Sequence, residues 1–287
     1  MLVSMKELMD NAEKGSYAVG GFNCPTLENV YAVVRAAETC RKPVILSFPQ
    51  VHERTVPLRV IAPILLRAAE DASVPVCVHL DHGSTVDYIR QALDLGFNSV
   101  MYDGSQLSLD ENIRNTKAVV ELAVRYGADV EAELGGISGE EAGIATGDEM
   151  KAALTDPDEA VRFVRETGVG SLAASIGTAH GFYTAPPKLD FARIEEIRSR
   201  AGVPLVMHGG SGVSDADYTL SIRKGIRKIN YYSYMAKAGV DGVKKLLKSK
   251  DVKYFHELAV AAAREMEEDV KRAICLFYPD TEGTPTV

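Results

Sequence analysis

The sequence has no cysteine pattern that predicts disulfide bonds. Its four cysteines show no paired spacing, whereas disulfide-rich secreted domains place cysteines at short, regular intervals. They are Cys24, Cys40, Cys77 and Cys275. Residues 1–19 also lack the apolar core of a signal peptide. We therefore expect a reducing, cytoplasmic location.

Long apolar runs and an excess of basic residues are missing as well. No apolar run approaches the roughly 20 residues that a membrane-spanning helix needs, so no membrane partner is expected. The formal net charge is −8, and the basic clusters at residues 223–228 and 244–250 are short and interleaved with apolar residues. Such clusters are typical of solvated helix faces, so we expect no nucleic-acid partner.

What remains is the composition of a globular chain with a large core. Of the 287 residues, 46% are hydrophobic, 7% aromatic and 25% charged. This length would allow two domains, but α/β barrels reach it as one, and no linker or low-complexity segment divides the chain. We therefore expect a single domain over residues 1–287.

Eight short apolar runs rich in β-branched residues alternate with helical patterns. The runs are residues 18–23, 43–48, 75–82, 99–104, 129–135, 171–177, 204–210 and 228–232. Between them, Asp156, Pro157 and Gly168 are expected to cap, begin and end one helix. Asp110 and Gly127 are expected to open and close another. The pattern predicts an α/β fold, a closed (β/α)₈ TIM barrel, with a doubly wound open sheet as the alternative.

Polar and ionisable residues stand at or just after the carboxyl ends of the predicted strands. Active sites of barrel enzymes lie at this end, and burying such groups is costly unless they are paired or bind a ligand. These residues are Asn23, Asp81, His82, Asp103, Glu133, His180, His208, Asn230 and Ser233. We therefore interpret this rim as the functional site.

Three of the six histidines, His82, His180 and His208, belong to this rim. A single histidine there is more often a hydrogen-bonded core residue, but three beside several carboxylates favour a metal site. Neutral imidazoles with one open position suit zinc or a related divalent ion that acts as a Lewis acid. His79 shares the strand face of Asp81 and is interpreted as a core residue or a partner of the ligands. The other two, His52 and His256, fall outside this group.

His208 is followed by two glycines and a serine. Adjacent glycines let backbone N–H groups approach an anion, and Ser211 adds a hydroxyl, as in the phosphate sites near strands seven and eight of barrels. Such a glycine pair can also simply turn the chain. Its position after a candidate ligand favours phosphate binding, and Ser233 lies where the same phosphate could be shared.

The fifth strand carries Glu131 and Glu133, and Glu140 and Glu141 follow in a glycine-rich loop. Solvated charges are the plain interpretation of the loop pair. Glu133 is different, because it ends an apolar strand on the rim that carries the histidines.

Five motifs, HLDHG, VEAELG, SIGTAHGFY, LVMHGGSG and KIN, occur in the order and approximate spacing of class II fructose-bisphosphate aldolases and their tagatose-bisphosphate relatives. The sequence resembles this family over essentially its whole length. The resemblance implies a metal-dependent lyase that cleaves a ketose phosphate or bisphosphate reversibly to dihydroxyacetone phosphate and an aldehyde through a zinc-stabilised enediolate. It also implies a homo-oligomer, a dimer or a tetramer.

The resemblance assigns roles to matching residues. His82, His180 and His208 resemble the zinc ligands, and Asp103 and Glu133 resemble residues of an alternative metal position. The acid–base residue implied at the C4 hydroxyl is Asp81, with Glu141 as the second catalytic candidate. Residues that resemble the substrate-binding and monovalent-cation (Na⁺ or K⁺) positions are Asn23, Gly181, Gly209, Gly210, Ser211, Asn230 and Ser233.

Other chemistries remain open at this point. A Schiff-base aldolase would need a lysine, but none of the eight runs has one at its carboxyl end. A metal-dependent hydrolase on the same barrel would leave the phosphate loop without an obvious task. A non-catalytic sugar-phosphate binding protein would tolerate loss of Asp81 or of a metal ligand, but Asp81 and all three histidines are present.

The sequence departs from the family pattern in two places. Residues 47–53 replace a Ser, Thr or Gly-rich turn after strand two, and Tyr231 and Tyr232, with Tyr234 beyond, replace small or acidic residues after strand eight. Neutral drift is one explanation. The alternative hypothesis is an aldehyde pocket for a ketose phosphate other than fructose 1,6-bisphosphate, recognised by tyrosine hydroxyls and a ring face.

Overall fold

Eight parallel strands close into a barrel in the computed structural model of the chain, which describes residues 1–137, 139, 144–145 and 154–279. The strands are β1 (Val19–Asn23), β2 (Val44–Pro49), β3 (Val76–Gly83), β4 (Ser99–Tyr102), β5 (Asp129–Leu134), β6 (Ser171–Ala174), β7 (Leu205–Met207) and β8 (Ile226–Tyr231). Each strand pairs with its neighbours in chain order, and β8 pairs with β1. The predicted (β/α)₈ barrel is confirmed.

Helices surround the barrel and bury their apolar faces against the outward-facing strand residues. They are α1 (Met5–Gly15), α2 (Leu27–Cys40), α3 (Leu58–Asp71), α4 (Val86–Asp94), α5 (Leu109–Val124), α6 (Pro157–Thr167), α7 (Phe191–Ala201), α8 (Asp215–Lys224), α9 (Ser233–Ser249) and α10 (Phe255–Phe277). A short 3₁₀ helix, Gln50–Arg54, follows β2. Ile144–Ala145 pairs with Phe182–Tyr183 outside the barrel. Within the described part of the chain, none of these helices has the length and apolarity to cross a membrane.

The amino-terminal end of the barrel is closed by α1. Its buried side chains pack against residues near the starts of β1, β2 and β3 in a separate apolar cluster. The members are Met5, Leu8, Met9, Ala12, Val19, Ile45 and Cys77. The polar residues of the predicted site lie at the other end, where the strands finish.

The helix starts and ends predicted from the sequence are mostly correct. Asp156 accepts hydrogen bonds from the first turn of α6, Pro157 begins the helix, and Gly168 ends it with a φ of 73°. The prediction that Asp110 opens α5 was wrong, because Ser108 caps this helix. Its hydroxyl forms a reciprocal capping box with Glu111, which satisfies N–H groups at the helix start.

One of the two basic clusters is not a helix face. Arg223 and Lys224 end α8, but Arg227 and Lys228 belong to β8, where Lys228 is fully buried. The prediction of a solvated helix was wrong here because Gly225 stops α8 and the chain turns into a buried strand. The second cluster, residues 244–250, lies at the end of α9 and its lysines are exposed, as expected.

Candidate active site

An irregularity in β3 brings two consecutive residues to the mouth of the barrel. Neighbouring residues of a regular strand point to opposite faces. The register of β3 with β4 shifts between Leu80 and Gly83, and His82 has a φ of 47°. Such a bulge re-aims side chains, and the left-handed conformation costs a non-glycine residue roughly 1–2 kcal/mol. Asp81 and His82 can therefore both contact the site.

The three predicted metal ligands lie together. The ring centroid of His82 lies 4.7 Å from that of His208 and 5.0 Å from that of His180. The ring centroids of His180 and His208 are 5.6 Å apart. One nitrogen from each ring lies within 4.8 Å of the others. The fold thus brings together three histidines that are separated along the chain by 98 residues (82 to 180) and 28 residues (180 to 208).

Hydrogen bonds determine which nitrogen of two of these rings faces the others. Nδ1 of His82 lies 2.8 Å from Oδ2 of Asp103, and Nε2 of His208 lies 2.9 Å from Oε1 of Glu131. Because a carboxylate only accepts, each of these nitrogens carries the hydrogen. The opposite nitrogens, Nε2 of His82 and Nδ1 of His208, lie 3.0 Å apart. In neutral rings both would present lone pairs to each other, an arrangement that a cation between them relieves.

His180 completes this set of nitrogen donors. Its Nε2 is buried and has no hydrogen-bond partner among the described residues. Burial lowers the pKa of His180 to about 3, and burial followed by the charge on His82 lowers the pKa of His208 well below its ordinary value. Both imidazoles are therefore neutral, the form that binds metals. Three imidazole nitrogens, with carboxylate partners on two of the rings, fit a divalent metal ion.

The carboxylates around His82 favour positive charge at this point. Burial alone would lower the pKa of His82, but Asp81, Asp103 and Glu133 outweigh it and raise the pKa to about 10. Burial also opposes ionisation of Asp103, yet its contacts with His82 and Ser105 hold the pKa of Asp103 below the ordinary value. Burial and the charge of Asp103 raise the pKa of Glu133 to about 8. These groups form a second candidate cation-binding cluster, since single atoms of His82, Asp103 and Glu133 lie within 4.8 Å of one another.

Asp81 is fully buried beside the histidines. Its Oδ1 accepts a hydrogen bond of 3.1 Å from Nδ2 of Asn230, whose amide also lies 3.4 Å from Nδ1 of His208. Its Oδ2 has no hydrogen-bond partner in the described part of the chain. His79, predicted as a core residue or a partner of the ligands, is buried with Nδ1 2.8 Å from the Ser99 hydroxyl.

The loop after β7 packs tightly against its neighbours. Gly209 has a φ of 64°, and a Cβ there would lie 2.3 Å from the Ala179 carbonyl oxygen. A Cβ on Gly210 would lie 2.7 Å from the carbonyl oxygen of Asn230. Close packing therefore requires both glycines, independently of any ligand. Ser211 accepts a hydrogen bond of 3.0 Å from the Tyr232 N–H, where α9 begins.

The remaining predicted substrate-binding residues are distributed around this region. Ser233 is buried at the first position of α9, and Asn23 is buried at the end of β1. Gly181, beyond His180, has a φ of 97°. Glu140 and Glu141 lie outside the described residues. Of these two, Glu141 is the second catalytic candidate.

Of the residues predicted on the aldehyde side, Tyr231 lies elsewhere. Tyr231 points outward from β8, where its hydroxyl donates a 2.9 Å hydrogen bond to Asp269. It is buried among the helices because residues of a strand alternate, and Asn230 takes the inward position. His52, expected outside the group of metal ligands but within the segment 47–53 on the aldehyde side, lies near Tyr232, with ring centroids 5.3 Å apart. His256 is on the surface, as expected.

Two interior residues were missed as partners of the site. Glu131 contacts His208, and Lys228 contacts Glu131. Glu131 is two residues before Glu133 on β5, and Lys228 is two residues before Asn230 on β8. Each therefore shares a strand face with a predicted site residue. The period of two along each predicted strand was the available signal, although Lys228, the first residue of the run 228–232, was also assigned to the basic helix face 223–228.

The fold and the site define the class of protein, a (β/α)₈ barrel with a candidate metal centre at the carboxyl ends of its strands. The chain belongs to the class II fructose-bisphosphate aldolase family, whose pattern it matches over residues 3–280. It is therefore a metal-dependent aldolase, and the hydrolase and the non-catalytic binding protein are no longer needed as explanations.

Relatives and a solved structure agree with this assignment. The chain is 40% identical over 282 residues to a sulfofructosephosphate aldolase of Alkalicoccus urumqiensis, with 98% of each chain covered. It is also 40% identical over 249 residues to a fructose-bisphosphate aldolase of Geobacillus stearothermophilus, with 86% of each covered. The crystal structure of the YdjI aldolase from Escherichia coli K12 superposes with a TM-score of 0.87 at 34% identity, covering 99% of this chain and 100% of that one.

Proposed function

We propose that this enzyme cleaves a ketose 1-phosphate or bisphosphate reversibly to dihydroxyacetone phosphate and an aldehyde, with zinc as its metal. The observation that carries this proposal is the convergence of three imidazole nitrogens, from His82, His180 and His208, beside an available oxygen of Asp81. When bound, the metal supplies Lewis-acid stabilisation of the negative charge that bond cleavage leaves on the ketone half.

Asp81 is the proposed acid–base residue. Asn230 holds one carboxylate oxygen, while Oδ2 has no hydrogen-bond partner among the described residues and can accept the C4 hydroxyl proton as the C3–C4 bond breaks. In condensation the same group returns the proton. Glu141 remains our second candidate for this proton transfer.

The dihydroxyacetone phosphate end is proposed to bind between the loop after β7 and the start of α9. Ser211 accepts from the Tyr232 N–H and keeps its hydroxyl hydrogen available to donate, and the start of a helix favours a phosphate. The proposed contacts are Asn23, Gly181, Gly209, Gly210, Ser211, Asn230 and Ser233. A monovalent cation is proposed beside this phosphate, and Asp103 with Glu133 is the proposed alternative position of the divalent metal.

The aldehyde half is proposed to differ from that of fructose 1,6-bisphosphate. Overall sequence identity does not distinguish between substrates, because two relatives named for different substrates are both 40% identical to the chain. At the rim beyond Asp81, the His52 and Tyr232 rings meet edge to face, and Nε2 of His52 is buried without a hydrogen-bond partner in the described residues. These two side chains are the proposed aldehyde contacts, while Tyr231 is excluded by its outward direction.

A coupled assay of dihydroxyacetone phosphate release tests the reaction. We expect release from a ketose bisphosphate to stop after chelation and to return when zinc is added. Full activity of the stripped protein would rule out the zinc assignment. Aldehyde formation without dihydroxyacetone phosphate would rule out the proposed ketone product.

A substrate panel tests the aldehyde pocket. We would compare kcat/KM for fructose 1,6-bisphosphate, tagatose 1,6-bisphosphate and ketose 1-phosphates that lack the second phosphate, in the native enzyme and in Tyr232→Phe. A missing polar match can change kcat/KM by several powers of ten. The hypothesis of an altered aldehyde pocket is wrong if fructose 1,6-bisphosphate has the highest kcat/KM by a wide margin and Tyr232→Phe changes neither the ranking of substrates nor the rate.

The quaternary structure is proposed to be a homo-oligomer, a dimer or a tetramer, in the cytoplasm. Support comes from apolar side chains that stay exposed on α2 and α10, where Tyr31, Phe255 and Val260 are 56%, 80% and 66% exposed. Sedimentation of the metal-loaded protein as a monomer at micromolar concentration would contradict this.

A further inference from the structure

A buried ion pair lies inside the barrel beneath the candidate metal centre. Nζ of Lys228 is 3.0 Å from Oε1 and 2.9 Å from Oε2 of Glu131, and both side chains are fully inaccessible to solvent. The two residues come from strands that are not neighbours, β8 and β5, so this contact spans the interior of the barrel. Two charges removed from water are costly unless their geometry is good and further hydrogen bonds satisfy them.

The ion pair continues to a predicted metal ligand. Oε1 of Glu131, besides contacting Lys228, lies 2.9 Å from Nε2 of His208. The other nitrogen of that ring, Nδ1, lies 3.0 Å from Nε2 of His82. One continuous set of contacts therefore leads from Lys228 through Glu131 to the nitrogen that faces the metal position.

We infer that Lys228 is a positioning residue for His208. It anchors the Glu131 carboxylate so that Oε1 accepts the Nε2–H of His208, which selects the ring tautomer whose Nδ1 presents a lone pair to the metal. This inference rests on the proposed function, in which His208 is a metal ligand. Carboxylate partners of metal-bound histidines typically affect metal affinity by about 10–100-fold, and Lys228 acts one contact further out.

The surroundings of Lys228 favour positioning over covalent chemistry. Lys228 lies two residues before Asn230, its ammonium contacts Glu131 in the interior, and it has no exposure to solvent. A Cβ on Gly21 would lie only 3.3 Å from Cε of Lys228, so the side chain is packed against the neighbouring strand β1. The lysine is held in one place by both packing and charge.

The test compares two neighbouring residues of the same strand. Lys228→Met removes the inward ammonium and keeps most of the side-chain volume. Arg227→Met is the matched control, because Arg227 points outward, is 7% exposed and pairs with Glu13 at 3.2 Å. Both variants lose a largely buried cation, but only Lys228 is connected to His208.

Two measurements on the full-length, metal-stripped protein report on the inference. Zinc affinity is measured by competition with a chromophoric chelator, and the tautomer of His208 by ¹⁵N NMR of imidazole-labelled protein, with His208→Gln to assign the signals. For Lys228→Met we expect zinc affinity to fall about 10-fold or more and the His208 signals to show that the Nε2–H form is no longer the single tautomer. Arg227→Met should keep both wild-type values, whatever its thermal stability.

A double variant covers the case in which Lys228→Met does not fold. Lys228→Met with Glu131→Gln leaves no unpaired charge, but nothing then dictates which end of the amide faces His208. We expect this variant to fold, to bind zinc more weakly than wild type and to show mixed tautomers. Wild-type affinity and tautomer in either folded variant would overturn the inference.

The outcomes also separate this inference from the proposed function. If His208→Gln itself binds zinc as tightly as the wild type, the ligand set is wrong and the proposed function fails with it. If His208→Gln loses zinc while the Lys228 variants retain normal affinity and tautomer, only the positioning role of Lys228 is wrong.

Discussion

Asp81 and His180 are the residues whose roles are easiest to separate by substitution. Asp81 contacts Asn230 through one oxygen, and its second oxygen is buried without a hydrogen-bond partner among the described residues. His180 has a buried Nε2 that is likewise unpaired among the described residues, and its ring lies beside those of the other two histidines. The first arrangement suits proton exchange with substrate, and the second suits a metal.

We expect Asp81→Ala to lower cleavage by about 10²-fold or more, the usual scale for a lost acid–base group, while zinc content and dihydroxyacetone phosphate binding persist. Steady-state kinetics, metal analysis and calorimetric titration measure the three quantities. Asp87→Ala is the control, since the Asp87 side chain is 83% exposed on α4. Near-normal cleavage by Asp81→Ala would transfer the role to another group, with Glu141 the next candidate.

His180→Ala should lose zinc, because one of the three nitrogen donors of the candidate metal site is removed. Metal content after dialysis measures this directly. The control is His256→Ala, an exposed histidine whose ring stacks on Tyr254. Equal zinc content in the two variants would remove His180 from the ligand set.

At the scale of an element, β3 is the strand on which the site depends most. Its bulge turns Asp81 and His82 into the barrel mouth, and Gly83 follows in close contact with β4. A Cβ on Gly83 would lie 2.7 Å from the Met101 carbonyl oxygen, too close for any real contact. The glycine therefore allows the bulge to sit against its neighbour.

Gly83→Ala should lower the free energy of unfolding by about 1–3 kcal/mol and weaken zinc binding, because the clash displaces the bulge that carries His82. Denaturant titration and chelator competition measure the two effects. Gly170→Ala is the matched control, since a Cβ there would lie at an ordinary 3.5 Å from the nearest atom, the Val130 carbonyl oxygen. Equal zinc affinity in both variants would show that the bulge tolerates displacement.

At the scale of the whole molecule, the candidate metal site ties distant parts of the barrel together. Its histidines come from β3, from the segment after β6 and from the end of β7, so a bound ion would connect three parts of the closed sheet. A ligand that binds only the folded state stabilises the entire fold through mass action.

We expect zinc to raise the Tm of the stripped protein in proportion to the logarithm of its free concentration. At about 1,000 times Kd the added stability is about 4 kcal/mol, which corresponds to roughly 8 °C at about 2 °C per kcal/mol. Differential scanning calorimetry at several zinc concentrations measures this. His180→Ala should show little of the rise, and a Tm independent of zinc in the native protein would contradict a folded-state metal site.

Local patterns in the sequence determined the barrel and most of its rim. Apolar runs separated by capped helices, such as α6 with Asp156 and Gly168, require only short-range physics to recognise. The polar residues at strand ends then marked the site, because strand direction alone places those ends together. Three of these residues, His82, His180 and His208, lie as close together as their positions at strand ends implied.

Only the tertiary structure decided how side chains meet across the barrel. The bulge at His82 depends on the register with β4, and the burial of Lys228 depends on β8 closing the sheet against β1. Glu131 meets Lys228 across the interior, 97 residues away along the chain. No local pattern contains these contacts, because they arise when closure brings non-neighbouring strands within hydrogen-bonding distance.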